Sequence, residues 1–364
     1  MTLPELAIKD FCSDNCIFQG GMGVGVSLHP LAGAVAQEGG LGIVSSAGLR
    51  TIVSKRDGKV VDTYTAVRIE LEKAKSSSGG RPIGINVMCA VVGDYEDTIR
   101  AALDAGIDAI VSGAGLPLGL PAIQPPGHTA LIPIVSSTRA LEIIVKRWER
   151  IHYRPDAIVL EGPKAGGHLG FKPEEVDDPA FALEKLLPAV LEVAHRHGDF
   201  PVIVAGGIYT HEDIVRFLSL GASGVQMGTR FLATNESSAT DAYKQAVVDA
   251  GKDDITVVAY PDKTPASPCG LPFRILKGSP MYTTKRPALC NKGYVLQRGS
   301  DGKLSECQAM PKSPNNQKFL CICSGLLTSA GYAPDLPLYT VGTNAYRVDR
   351  IRSVAELMAE LRGE

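Results

Sequence analysis

Several things are scarce in this chain, and each shortage excludes a class. Positive charge is not in surplus: 37 Lys plus Arg stand against 39 Asp plus Glu, a formal charge of −2. Counterion release on a polyanion needs a basic face, so nucleic acid is not expected as a partner. No apolar run approaches the roughly 20 residues that cross a bilayer, and Met1–Asp10 lacks a basic stretch followed by an apolar core. No membrane role is expected, and the location is expected to be cytoplasmic. Charge is also too sparse for disorder, with 21% charged beside 45% hydrophobic residues. The 8 cysteines sit in a large chain without a recognisable export signal, so thiols or metal ligands are expected rather than disulfides.

What is present has a rhythm. Eight short apolar or β-branched runs recur: 16–19, 41–46, 83–90, 109–113, 131–136, 157–161, 202–205 and 224–227. Their length and apolarity suit strands buried on both faces. Helical spacing fills 31–38, 64–75, 95–105, 140–150, 180–195, 211–220 and 238–250. Gly39, Gly106 and Gly221 each stand where a left-handed C-cap precedes the next strand. Pro117, Pro121, Pro125 and Pro126 leave little room for one crossover helix. The pattern predicts an α/β fold, a parallel (β/α)8 TIM barrel over residues 1–255, with a doubly wound open sheet as runner-up.

The rhythm stops near residue 255. Residues 256–337 are rich in proline and hold five of the eight cysteines, which reads as an irregular inserted lid or subdomain. Residues 338–364 return to helical spacing and are expected to pack back on the barrel.

The glycines, 39 in all, cluster beside the apolar runs. Gly20–Gly25 follows the first run, Ala205-Gly206-Gly207-Ile208 ends the seventh, and Gln226-Met227-Gly228-Thr229 ends the eighth. Glycine lets backbone N–H groups approach an anion, and a barrel builds its phosphate site at its last two strands. Thr229 adds a hydroxyl. The alternative is a set of structural turns, and the pairing of the last two loops favours a phosphate-bearing ligand. The sixth run ends in Glu161-Gly162-Pro163-Lys164-Ala165-Gly166-Gly167-His168. An imidazole in a glycine-rich loop on the active face can move protons or steer charge near neutral pH, whereas His195 and His197 read as a solvated helix end.

Together, Gly20-Gly21-Met22, Gly39-Gly40-Leu41-Gly42, Ala165-Gly166-Gly167-His168, Ala205-Gly206-Gly207-Ile208 and Val225–Phe231 resemble the nitronate monooxygenase family, formerly 2-nitropropane dioxygenase. Its relatives include flavin-dependent enoyl-acyl-carrier-protein reductases. The resemblance covers roughly residues 12–250 and 324–361. It implies a barrel that binds FMN without covalent attachment. Gly21, Met22 and Gly23 would meet the flavin, with Asn86 and Glu161 near its ring or ribityl chain. Gly166, Gly206, Gly207, Gln226, Met227, Gly228 and Thr229 would complete the cradle, and His168 matches the family's active-site histidine. Lys164 departs from the family, in which many members carry a carboxylate there.

Three functions follow from this reading: oxidation of alkyl nitronates with O2; reduction of an enoyl thioester or quinone, with NAD(P)H as reductant; or binding of a phosphate ligand without turnover. The substrate is a small molecule in the first two, and an oligomer is compatible with all three. Cys290, Cys307, Cys321 and Cys323 are separated by 16, 13 and 1 residues, which fits neither a zinc knuckle nor a ferredoxin run. No metal ligand is assigned, and Cys269 is placed near the substrate mouth.

Overall fold

A run such as Ala109–Gly113 is buried at every residue, and Gly42–Ser45 and Val202–Ala205 likewise. Strands with no face for water must be paired on both sides and covered on both faces. The computed structural model describes residues 2–258, 271–284, 297–298, 304–305 and 320–364. In it β1 (Ile17–Gln19), β2 (Gly42–Ser45), β3 (Ile83–Met88), β4 (Ala109–Gly113), β5 (Ala130–Val135), β6 (Ile158–Glu161), β7 (Val202–Ala205) and β8 (Gly224–Met227) form one sheet. All neighbours run parallel, in chain order from β2 to β8, and β8 then pairs with β1.

A parallel bridge between Phe18 and Leu41 closes the circle. Gln19 N–H donates to Leu41 O at 3.0 Å, and Leu41 N–H to Ile17 O at 3.0 Å. The fold is therefore the (β/α)8 barrel, and the open doubly wound sheet is excluded. Its interior is filled by side chains such as Ile43, Val111 and Val159, all fully buried.

The helices His29–Gln37, Thr63–Ser77, Tyr95–Asp104, Thr138–Glu149, Leu183–Arg196, His211–Ser219 and Asp241–Val248 follow the predicted spacing. Gly39, Gly106 and Gly221 have φ of +82°, +59° and +99°, the left-handed caps their positions called for. The fifth of these helices starts later than the spacing predicts, because Pro179–Phe181 make a separate 3-10 turn and Ala182 is extended at ψ 141°. The last starts at Asp241 because the Thr240 side chain accepts from Tyr243 N–H and caps it there. Between β4 and β5 the prolines permit a single turn, Leu120–Ile123. A further helix, Leu49–Arg56, was not predicted; it starts at Gly48, which is left-handed at φ 79°.

An N-terminal hairpin, Leu6–Ile8 with Phe11–Ser13, buries Leu6, Ile8 and Phe11. Leu6 lies against Gly224, the first residue of β8, and so covers the N-terminal end of the barrel. Beyond the barrel, Ile255–Val258 pairs antiparallel with Phe273–Leu276, which pairs in turn with the two-residue strand Gly167–His168. The helix Val354–Arg362 buries Val354, Leu357, Met358 and Leu361, with Met358 against Gly40 beside β2.

Candidate functional site

The C-terminal ends of the eight strands surround a cavity of about 460 Å³. That lies within the range of small-ligand pockets. Gly21, Met22, Gly23, Asn86, Glu161, Gly166, His168, Gly206, Gly207, Gln226, Met227, Gly228 and Thr229 all line it. Residues scattered over two hundred positions of sequence thus meet in one space, because parallel strands of matched register deliver all their C-terminal loops to the same face.

At one end the walls are backbone. Gly206 and Gly207 follow β7 with φ of +98° and +85°, values that side-chain-bearing residues rarely adopt. A Cβ on Gly206 would sit 2.9 Å from Gly162 O, and one on Gly207 would sit 2.9 Å from Cβ and Cδ of Lys164. The stem of Lys164 therefore runs alongside Gly207, while the residue as a whole is exposed. A Cβ on Gly21 would collide with Asn86 Cβ. Thr229 Oγ1 accepts from Gly342 N–H at 2.9 Å, which leaves its own hydrogen free to point elsewhere. Gln226 Oε1 is buried with no hydrogen-bond partner among the described residues.

At the other side stand Glu161 and His168. Glu161 ends β6, and its loop returns through Gly162 and Gly166 to the short strand Gly167–His168. The His168 ring meets the edge of Phe273, centroids 4.6 Å apart. Burial pushes the Glu161 carboxyl up to about 7, against the pull of His168 and Arg274 toward the charged form. A carboxyl poised there can hold or release a proton near neutral pH.

Sequence reasoning missed two contributions. Arg274, in the strand Phe273–Leu276, is 3% exposed, and its Nη1 donates to Pro163 O at 2.7 Å and to Ala165 O. Burial draws its guanidinium down to about 10, with Asp177 and Glu161 resisting. The segment 340–344 is the second. Thr343 N–H donates to Lys164 O at 3.1 Å, and Asn344 Nδ2 to Gly207 O at 2.6 Å. The only signal for it in the sequence is the apolar run Leu338–Val341 ending in Gly342, the same run-then-glycine form as the barrel strands.

Of the cysteines singled out above, Cys321 is buried and Cys323 is half-buried. Cys269, Cys290 and Cys307 lie outside the described residues. Among the described residues no three His, Cys, Asp or Glu side chains gather as a metal site, and no helix is long and apolar enough to cross a membrane.

The nitronate monooxygenase family profile matches residues 6–364. A (3aS,4S,5R,7aS)-5-hydroxy-7a-methyl-1-oxo-octahydro-1H-indene-4-carboxyl-CoA dehydrogenase of Rhodococcus jostii is 28% identical over 260 residues, 71% of this chain but 62% of that protein's length. A nitronate monooxygenase of Pseudomonas aeruginosa is 46% identical over 95 residues, 25% of each chain. Among solved structures, FabK from Thermotoga maritima superposes with a TM-score of 0.69 at 23% identity, covering 96% of this chain and 92% of that one. At that identity the likeness is one of fold.

Proposed function

Because the chain belongs to the nitronate monooxygenase family, we propose that it is an FMN-dependent oxidoreductase that oxidises alkyl nitronates with O2, and that His168 is its catalytic residue. One observation carries the reading: the cavity gathers His168, Glu161 and the glycine bends that end β7 and β8 into a single space.

The residues fit the group. Gly206 and Gly207 make a cradle that a Cβ would fill, and glycine backbone of this kind admits a phosphate. The free hydrogen of the Thr229 hydroxyl adds a donor. The partnerless Gln226 Oε1 asks for a ligand N–H or O–H, since an unmet buried acceptor costs about 1–3 kcal/mol; FMN carries such donors on its ring and ribityl chain. Gly21, Met22, Gly23 and Asn86 would line the ring or ribityl chain, with Gly166, Met227 and Gly228 closing the cradle.

When bound, FMN supplies the redox couple between a nitronate and dioxygen. The chain supplies the rest. An imidazole N–H of His168 holds the anionic nitro oxygens of the substrate by a charge-assisted hydrogen bond. The Glu161 carboxyl, with an affinity for protons near neutrality, takes up or returns a proton as charge at His168 changes. Apolar walls from Met88, Leu116, Ile134 and Leu271 exclude water and strengthen both interactions. We assign residues 1–255 to the FMN-binding barrel, 256–337 to an inserted lid or subdomain and 338–364 to a C-terminal segment that packs back on the barrel.

The second reading is an NAD(P)H-dependent flavin reductase of an enoyl thioester or quinone, the thioester being favoured by the carboxyl-CoA in the Rhodococcus relative's name. Anaerobic mixing separates the two. Loss of the flavin band near about 450 nm with ethylnitronate but not with NADPH supports the nitronate reading. The reverse result overturns it, and a colourless protein that refuses FMN overturns both.

A further inference from the structure

The loop between Glu161 and His168 is glycine-rich and has no helix or ladder of its own until Gly167. Such a loop has many conformations, and a reacting imidazole needs one. Three observations converge on the element that selects it. Phe273 pairs with His168 and Arg274 with Gly167 in antiparallel register. The Phe273 ring packs against the His168 ring. One guanidinium nitrogen of Arg274 takes both Pro163 O and Ala165 O, so two loop carbonyls are drawn to one buried point.

A buried cation is costly unless it is matched. The titratable groups around this one are Glu161 at the end of β6, Asp177 beyond the loop, and His168 on the paired strand, with Lys164 exposed on the loop itself. A clamp made only to hold a loop needs no charge there, because a neutral donor would bond the same carbonyls. The guanidinium adds a field on Glu161 that a neutral donor does not.

We propose that Arg274, brought in from beyond the barrel, is a positioning residue: through Pro163 O and Ala165 O it fixes the loop that joins Glu161 to His168, and it sets a fixed positive charge beside that loop. The proposal rests on His168 acting as described above. It extends the site to a residue more than a hundred positions away, in the segment read from sequence as a lid.

The test uses the FMN-loaded protein as wild type, R274M and R274K. Flavin absorbance and thermal unfolding report that each variant is folded and loaded. In R274M, kcat on ethylnitronate is expected to fall about a hundredfold, the size of effect that small misplacement of a reacting group produces, with KM little changed. The pH limb set by Glu161 is expected to move to more alkaline pH, since one of the two groups opposing its protonation has gone. R274K keeps the charge but replaces the planar fork with a single flexible ammonium. Its limb is expected to stay in place while kcat remains severalfold down. Wild-type kcat and an unmoved limb in R274M overturn the proposal. If R274M does not fold, wild-type kcat in R274K overturns it. Titration of the Glu161 carboxyl by NMR, assigned by its loss in E161Q, reads the same charge network without turnover. If no nitronate is consumed at all, the proposed function fails, and an unchanged Glu161 titration in R274M is then what sinks the role of Arg274.

Discussion

Glu161, whose carboxyl is pushed up to about 7, and His168 line the same cavity, and they differ in how visible they are. A histidine in a glycine-rich loop after a strand can be read from sequence, because strand order alone fixes which face the loop occupies. The Glu161 proton affinity cannot be read, since it comes from desolvation by residues that are distant in the chain. Arg274 was invisible for the same reason: its meaning depends on the antiparallel pairing that sets it beside Gly167. We expect H168A to keep its flavin and to lose about 10²- to 10⁴-fold in kcat, the usual contribution of a positioned acid or base. Oxygen uptake with ethylnitronate as substrate measures it, and turnover at the wild-type rate would remove His168 from the mechanism.

Strands and their closing loops were the most legible elements. Ala109–Gly113, Val202–Ala205 and Gly224–Met227 coincide with the apolar runs, since a strand buried on both faces has to be apolar throughout. The helix Leu49–Arg56 was not legible: Leu49, Ile52 and Val53 are buried, but eight residues starting at a glycine give too few turns to show a period. The glycine bend after β7 makes a testable demand. G207A would place a Cβ 2.9 Å from Lys164 at φ +85°, and a left-handed non-glycine residue costs about 1–2 kcal/mol. If the loop moves to relieve this strain, FMN affinity falls by about 5- to 30-fold, as flavin titration would show. G119A is the control, because a Cβ there meets nothing within 4 Å and φ is −103°. Equal affinity for FMN in both variants would mean that Gly207 does not shape the cradle.

At the scale of the whole molecule, an ion cluster that joins the outer helices contributes to stability in acid. Glu70 is fully buried between His29 and Arg56. Burial alone would raise its carboxyl, but hydrogen bonds from the His29 ring and backbone N–H, at 2.9 and 2.7 Å, and from Arg56 at 2.7 Å hold it down to about 2. The folded state therefore binds this proton less readily than the unfolded chain, whose ordinary value is 4.5. The stabilisation is present above pH 4.5 and is lost as pH falls toward 2. It amounts to about 3 kcal/mol. Denaturant unfolding across that range is expected to show a steeper loss for wild type than for E70Q. Parallel curves would mean that the cluster contributes nothing to acid stability.

The number of strands, their parallel order, the glycine caps and the loops that face the ligand follow from the chain itself, because burial on both faces and left-handed turns are demands met residue by residue. Tertiary structure alone decided that β1 closes on β2, that the segment 340–344 seals the glycine cradle, and that a guanidinium from beyond the barrel grips the histidine loop. Those depend on contacts between residues far apart in sequence, whose formation no local pattern encodes.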